Sequence, residues 1–142
     1  MAIKEPTTTL LAHQLRETLG RVVRRLRAEP GPSVGRLAVL GRLDRDGPAS
    51  ISTLATCERM RPQSMAQTVH DLEIGGLVSR RPDPGDGRRV FIELTAAGLE
   101  LLHKTRARRE TWLTDALERE LDADERALLS EALALLARVA DA

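Results

Sequence analysis

The sequence predicts a mainly helical α+β chain with one short β-hairpin, and three observations carry the prediction. Apolar residues recur at helical spacing along most of the 142 residues, as they do when helices bury one face. Aromatic residues are nearly absent, with Phe91, Trp112 and no Tyr. The core must therefore be built from Leu, Val, Ile, Ala and Met, which favours helices over a β-sandwich. One segment departs from the helical pattern: "GLVSRR" and "VFIELT" read as strands on either side of a turn-rich stretch.

Each element follows from its own local signals. From Thr9 to Ala28 the apolar residues Leu11, Leu15, Leu19, Val22 and Leu26 form a helix stripe, with Arg16, Arg21, Arg24, Arg25 and Arg27 on the other faces. "EPGP" stops this helix, and Ser33 is placed to cap the next, "VGRLAVLGRLDRDG". Ser50 caps a short helix, "ISTLATCE", with Ile51, Leu54 and Ala55 facing inward. A turn near Arg59–Arg61 leads into "PQSMAQTVHDLEIGG", with Pro62 in the first turn and Gly75-Gly76 at the end. After the hairpin, Thr95 opens a long helix to about Glu120. Asp122 with Glu125 forms a capping box for a last helix bearing Leu128, Leu129, Leu133, Leu136 and Val139.

Two helices joined by a tight turn and followed by a hairpin make a winged helix-turn-helix, here spanning about 33–94. The expected organisation is one domain over 1–142, with dimerisation helices at about 7–29 and 96–142 around that lobe. Dimerisation is expected because Leu11, Leu15, Leu19 and Val22 at one end, and Leu129, Leu133 and Leu136 at the other, would be left wet in a monomer.

Composition narrows the function classes. Net charge is only +1, but Arg supplies all the basic residues except Lys4 and Lys104. Arg is the better residue for phosphate forks and narrow grooves. One Cys excludes an internal disulfide and a Cys-based zinc site, and points to a reducing cytosol. No apolar run approaches the roughly 20 residues that span a membrane, and "MAIKEPTTTLLAHQL" lacks a signal-peptide pattern. His13, His70 and His103 are scattered, no metal-ligand spacing appears, and no nucleophile elbow, phosphate loop or acid–base pair is present. Neither a catalytic residue nor a cofactor is therefore expected.

The stretch from Ile51 to Gly98 resembles the MarR (multiple-antibiotic-resistance) transcription regulators. The family's wing form D-P-x-D-x-R is matched by Asp83-Pro84-Gly85-Asp86-Gly87-Arg88, and its exit pattern L-T-x-x-G by Leu94-Thr95-Ala96-Ala97-Gly98. "DLEIGGLVSR" is similar to the segment between them, and helix order and length agree over essentially the whole chain. Arg59 departs from the pattern, since many members carry Gly in the helix-turn-helix turn. The resemblance implies a cytoplasmic, homodimeric repressor of double-stranded DNA that a small aromatic or anionic ligand releases. It also implies that Asp86 orients Arg88.

In the second helix of the motif, Met65, Val69 and Leu72 are spaced to face the core, which puts Gln63, Ser64, Gln67 and His70 outside. Short polar side chains near a helix N-terminus suit base edges in the major groove, while Arg61 and His70 are placed for the backbone. The competing reading is a merely solvated face. In the wing, Pro82 and Pro84 are expected to stop strand pairing, and Gly85 and Gly87 to adopt turn conformations closed to other residues. Arg88, with Arg89 behind it, is expected to reach the minor groove. Four Arg against Asp83 and Asp86 leave the loop at +2, so a self-neutralised loop is disfavoured. Cys57 reads as a small buried structural thiol. The alternative function is a dimeric interaction module without DNA binding, which would have no use for Arg88 and Arg89.

Overall fold

The computed structural model describes residues 5–142; Met1–Lys4, part of the stretch read against a signal peptide, lie outside it. The order is α1 (Thr8–Ala28), α2 (Val34–Asp46), α3 (Ile51–Cys57), α4 (Pro62–Ile74), β1 (Val78–Asp83), β2 (Asp86–Leu94), α5 (Ala96–Glu120) and α6 (Ala123–Ala140). Two compact units divide the chain after Arg106, within α5.

In the first unit, Ser33 and Ser50 cap α2 and α3 by accepting from the backbone N–H of Arg36 and Thr53. The core gathers Val39, Leu40 and Leu43 of α2, Leu54 and Ala55 of α3, Met65, Val69 and Leu72 of α4, Val78, Ile92 and Leu102. The expected inner faces of α3 and α4 are therefore the observed ones. Ala49 adds a third rung beside the hairpin, exchanging backbone hydrogen bonds with Ile92.

α4 ends in a Schellman turn. Gly76 takes φ +73°, its N–H donates to Glu73 C=O, and Leu77 N–H donates to Leu72 C=O. The reversal aims the chain into β1. Thr95 then locks the junction: its Oγ1 donates to Gly76 C=O at 2.7 Å and accepts from Gly98 N–H at 3.0 Å. A Cβ on Gly98 would lie 2.1 Å from the Leu77 carbonyl oxygen, so the L-T-x-x-G exit admits no side chain there.

The hairpin corrects two expectations. Pairing runs in register as far as Pro82↔Val90, breaks there in an irregularity that leaves Gly87–Arg89 with no residue opposite, and closes with Asp83↔Asp86, so only Pro84-Gly85 lies between the strands. Alternate residues of an antiparallel pair point their N–H away from the partner, so Pro82 on an edge strand need not stop pairing. Neither Gly85 nor Gly87 lies in the left-handed region. The turn is shaped instead by Asp83 Oδ1 accepting from Gly85 N–H at 2.9 Å and Asp86 Oδ1 accepting from Arg88 N–H at 3.0 Å. Among the described residues, the left-handed non-glycine residue is Arg59, φ +52°, in the α3–α4 turn.

The second unit holds the end of α5 and all of α6. Asp122 and Glu125 form the expected capping box, each side chain accepting from the other's backbone N–H. Neither α6 nor α1, which belongs to the first unit, has a buried residue.

Candidate nucleic-acid interface

α4 is the element on which the candidate site is built. Its inner side is sealed, with Met65 and Val69 wholly buried and Leu72 nearly so. Geometry then forces Gln63, Ser64, Gln67 and His70 outward, and all four are exposed. Arg61 is the N-cap and is also exposed, yet its side chain makes no capping bond. Pro62 has no N–H, so the Gln63 and Ser64 amides are the outermost donors of a positive helix end. The structure thus brings Arg61, Gln63, Ser64, Gln67 and His70 onto one helix.

The hairpin follows α4 directly, and its four Arg residues separate into two pairs. Arg80 Nε donates to Glu73 Oε2 of α4 at 2.5 Å, and Arg81 Nε lies 3.7 Å from Glu93 Oε1 across the sheet. These two cations hold the hairpin to α4 and to itself. Arg88 and Arg89 are exposed, and among the described residues their guanidinium groups have no ion-pair partner. The two Asp residues of the loop accept from backbone N–H groups rather than from these Arg side chains. The wing's uncompensated charge is thereby concentrated on the two residues singled out in the sequence. Asp86 touches the Arg88 backbone, so its hold on that residue acts through the turn.

Other contacts were not visible in the sequence. Arg36 of α2 donates from Nη2 to Asp71 Oδ2 at 2.8 Å, and Gln67 Nε2 donates to Asp71 Oδ1 at 2.9 Å. Arg42 of α2 donates from Nε to Glu58 Oε1 at 2.6 Å and from Nη1 to Asp46 Oδ2 at 3.2 Å. The Glu58 hydrogen bond leads the causes that raise the Arg42 pKa, so the guanidinium of this clamp between α2 and the end of α3 is held protonated. Cys57 is exposed, which corrects the expectation of a buried thiol. A seven-residue helix has one narrow inner face, and Leu54 and Ala55 fill it.

Among the described residues no His, Cys, Asp and Glu cluster could hold a metal, and no helix is long and apolar enough to cross a membrane.

Comparison with known proteins agrees with this geometry. A family model described as MarR family matches residues 31–89, the helix-turn-helix and most of the wing. An uncharacterised HTH-type transcriptional regulator of Mycobacterium leprae is 34% identical over 134 residues, covering 92% of this chain and 93% of the relative. A solved protein of Pseudomonas aeruginosa, assigned as a transcriptional regulator, is 41% identical with a TM-score of 0.77, over 95% of this chain and 98% of that one. A MarR family protein of Bacillus stearothermophilus superposes with a TM-score of 0.82 over 99% and 100% of the two chains; at 21% identity it speaks for the fold alone. The family model and these relatives are those of DNA-binding transcriptional regulators, a family without enzymes. The chain belongs to the MarR family of winged helix-turn-helix transcriptional regulators.

Proposed function

We propose that the protein is a cytoplasmic homodimeric repressor of a pseudo-palindromic DNA site, with residues 33–94 as the DNA-binding lobe and 7–29 and 96–142 as the dimerisation helices. In this reading α4 enters the major groove, where Gln63, Ser64 and Gln67 meet base edges and Arg61 and His70 meet phosphates. The wing enters the adjacent minor groove with Arg88, supported by Arg89. The observation that carries the reading is the division of the wing's Arg residues. Arg80 and Arg81 are consumed by carboxylates, while Arg88 and Arg89 stay exposed and, among the described residues, without a carboxylate partner. A hairpin that needed only to fold would have no reason to leave two adjacent cations uncompensated at one place.

The dimer is supported by apolar faces left open in the single chain. On α1, Leu11 is 53% and Leu19 47% exposed; on α6, Leu133 is 55% exposed. Leu15, Val22, Leu129 and Leu136 belong to the same stripes. Covering them with a second copy gives a two-fold particle, and two-fold symmetry in the protein calls for a pseudo-palindrome in the DNA. Occupancy of such a site blocks it, which is why repression is the regulatory sign proposed. The family resemblance adds release by a small aromatic or anionic ligand, for which no residue of this chain is assigned.

The test is a salt titration of affinity for a DNA fragment selected by the protein. Arg88→Ala and Arg89→Ala should each lower the slope of log K against log salt by about one unit, because each contact releases about one counterion. Unchanged slopes in folded variants would remove the wing from the interface. Failure of the parent protein to bind any DNA would leave an interaction module.

A further inference from the structure

Gln67 is not a free side chain. Its Nε2 donates to Asp71 Oδ1 at 2.9 Å, one turn along α4, and the other oxygen of that carboxylate accepts from Arg36 Nη2 of α2 at 2.8 Å. The three groups form a chain across the surface from α2 to the outer face of α4. Asp71 is the partly covered link: its side chain is 33% exposed against 45% for Arg36.

We propose that Asp71, anchored by Arg36, is a specificity-determining positioning residue that fixes the amide of Gln67 for base reading. The inference rests on the reading of Gln67 as a base contact.

An amide can present its two ends either way round, and nothing in its shape prefers one. A carboxylate only accepts, so it selects the orientation with Nε2 toward Asp71. Oε1 and the second N–H of Gln67 are then left for the DNA, an acceptor beside a donor. That is the complement of the adenine major-groove edge, which offers the N6 amino donor and the N7 acceptor. Guanine offers two acceptors there, and Oε1 would face one of them. Without the carboxylate the amide can turn over, and the side chain must also be ordered at the moment of binding. Arg36 contributes in two ways. It holds Asp71 against rotation, and it offsets a negative charge that would otherwise lie beside phosphate.

The measurement is affinity for a selected fragment and its single-base-pair variants, with the parent, Gln67→Ala, Asp71→Asn, Arg36→Met and the Gln67→Ala/Asp71→Asn double variant. Thermal unfolding checks that each is folded. Gln67→Ala identifies the base pair that Gln67 reads. Asp71→Asn should lower discrimination at that same pair by about tenfold, leaving the other pairs within about twofold. An Asn side chain can present either end, so it no longer dictates the Gln67 amide. Arg36→Met should lower discrimination at the same pair by a smaller factor. The double variant should lose no more than Gln67→Ala alone, since both changes act through one contact.

Removing a negative charge near DNA should by itself tighten binding to every sequence alike. A uniform change in affinity from Asp71→Asn, with discrimination intact, would therefore overturn the inference while the role of Gln67 stands. A Gln67→Ala variant with unaltered preference at every base pair would overturn both. Should Asp71→Asn fail to fold, Arg36→Met decides by the same criterion.

Discussion

Gly98 and Arg59 carry opposite kinds of local demand. Gly98 has no room for a methyl group, since the Leu77 carbonyl oxygen would lie 2.1 Å from it and the backbone on both sides is hydrogen-bonded. Gly98→Ala must push the start of α5 away from the entry to β1, and overpacking of this kind costs about 1–3 kcal/mol or more. A fall in denaturation midpoint of several degrees is expected, together with weaker DNA binding, because the same junction sets the hairpin against α4. Arg59 is the reverse case. At φ +52° it holds a conformation that costs a side-chain-bearing residue about 1–2 kcal/mol relative to glycine. Arg59→Gly should raise stability by up to about 1 kcal/mol after the added freedom of the unfolded chain is counted, a rise of a few degrees by calorimetry. The sequence exposed Arg59 as a departure from the family pattern, and the backbone angle explains why glycine is common there.

At the scale of elements, what was legible was what is local. The Ser33 and Ser50 caps, the Asp122/Glu125 box and the apolar face of α4 depend on residues three or four apart, and all were readable from spacing. The hairpin interior is not legible locally, because pairing across strands decides where a Pro can stand, and Pro82 stands inside β1. The Arg36–Asp71 contact joins residues 35 positions apart, so no local pattern announces it. The same limit applies to the partners of Arg80 and Arg81, because Glu73 and Glu93 meet them only in the fold.

The hydrogen bond that Asp86 accepts gives the wing a sharp prediction. Its Oδ1 accepts from the Arg88 backbone, so the acceptor matters and the charge does not. Asp86→Ala should weaken binding by about 1 kcal/mol, the value of one such hydrogen bond, despite making the wing more positive. Asp86→Asn keeps the acceptor and should bind at least as tightly as the parent. Equal weakening in both variants would return the role to the carboxylate charge.

For the whole molecule, the exposed stripes of α1 and α6 carry the proposed dimer. Leu133→Glu places a charge on a residue that is 55% exposed in the single chain, so folding of one chain should tolerate it. Within a dimer interface the same charge is buried without a partner, at a cost of several kcal/mol. Sedimentation should therefore shift from a dimer to a particle of 15.6 kDa. The claim on which the functional account turns is that this dimer reads DNA with two copies of α4. Selection of bound fragments from random double-stranded DNA tests it most directly. Enrichment of a two-fold pseudo-palindrome is expected, with half-site centres about 10–11 base pairs, one helical turn, apart. Recovery of no motif, or of a single asymmetric half-site bound by one chain, would contradict it.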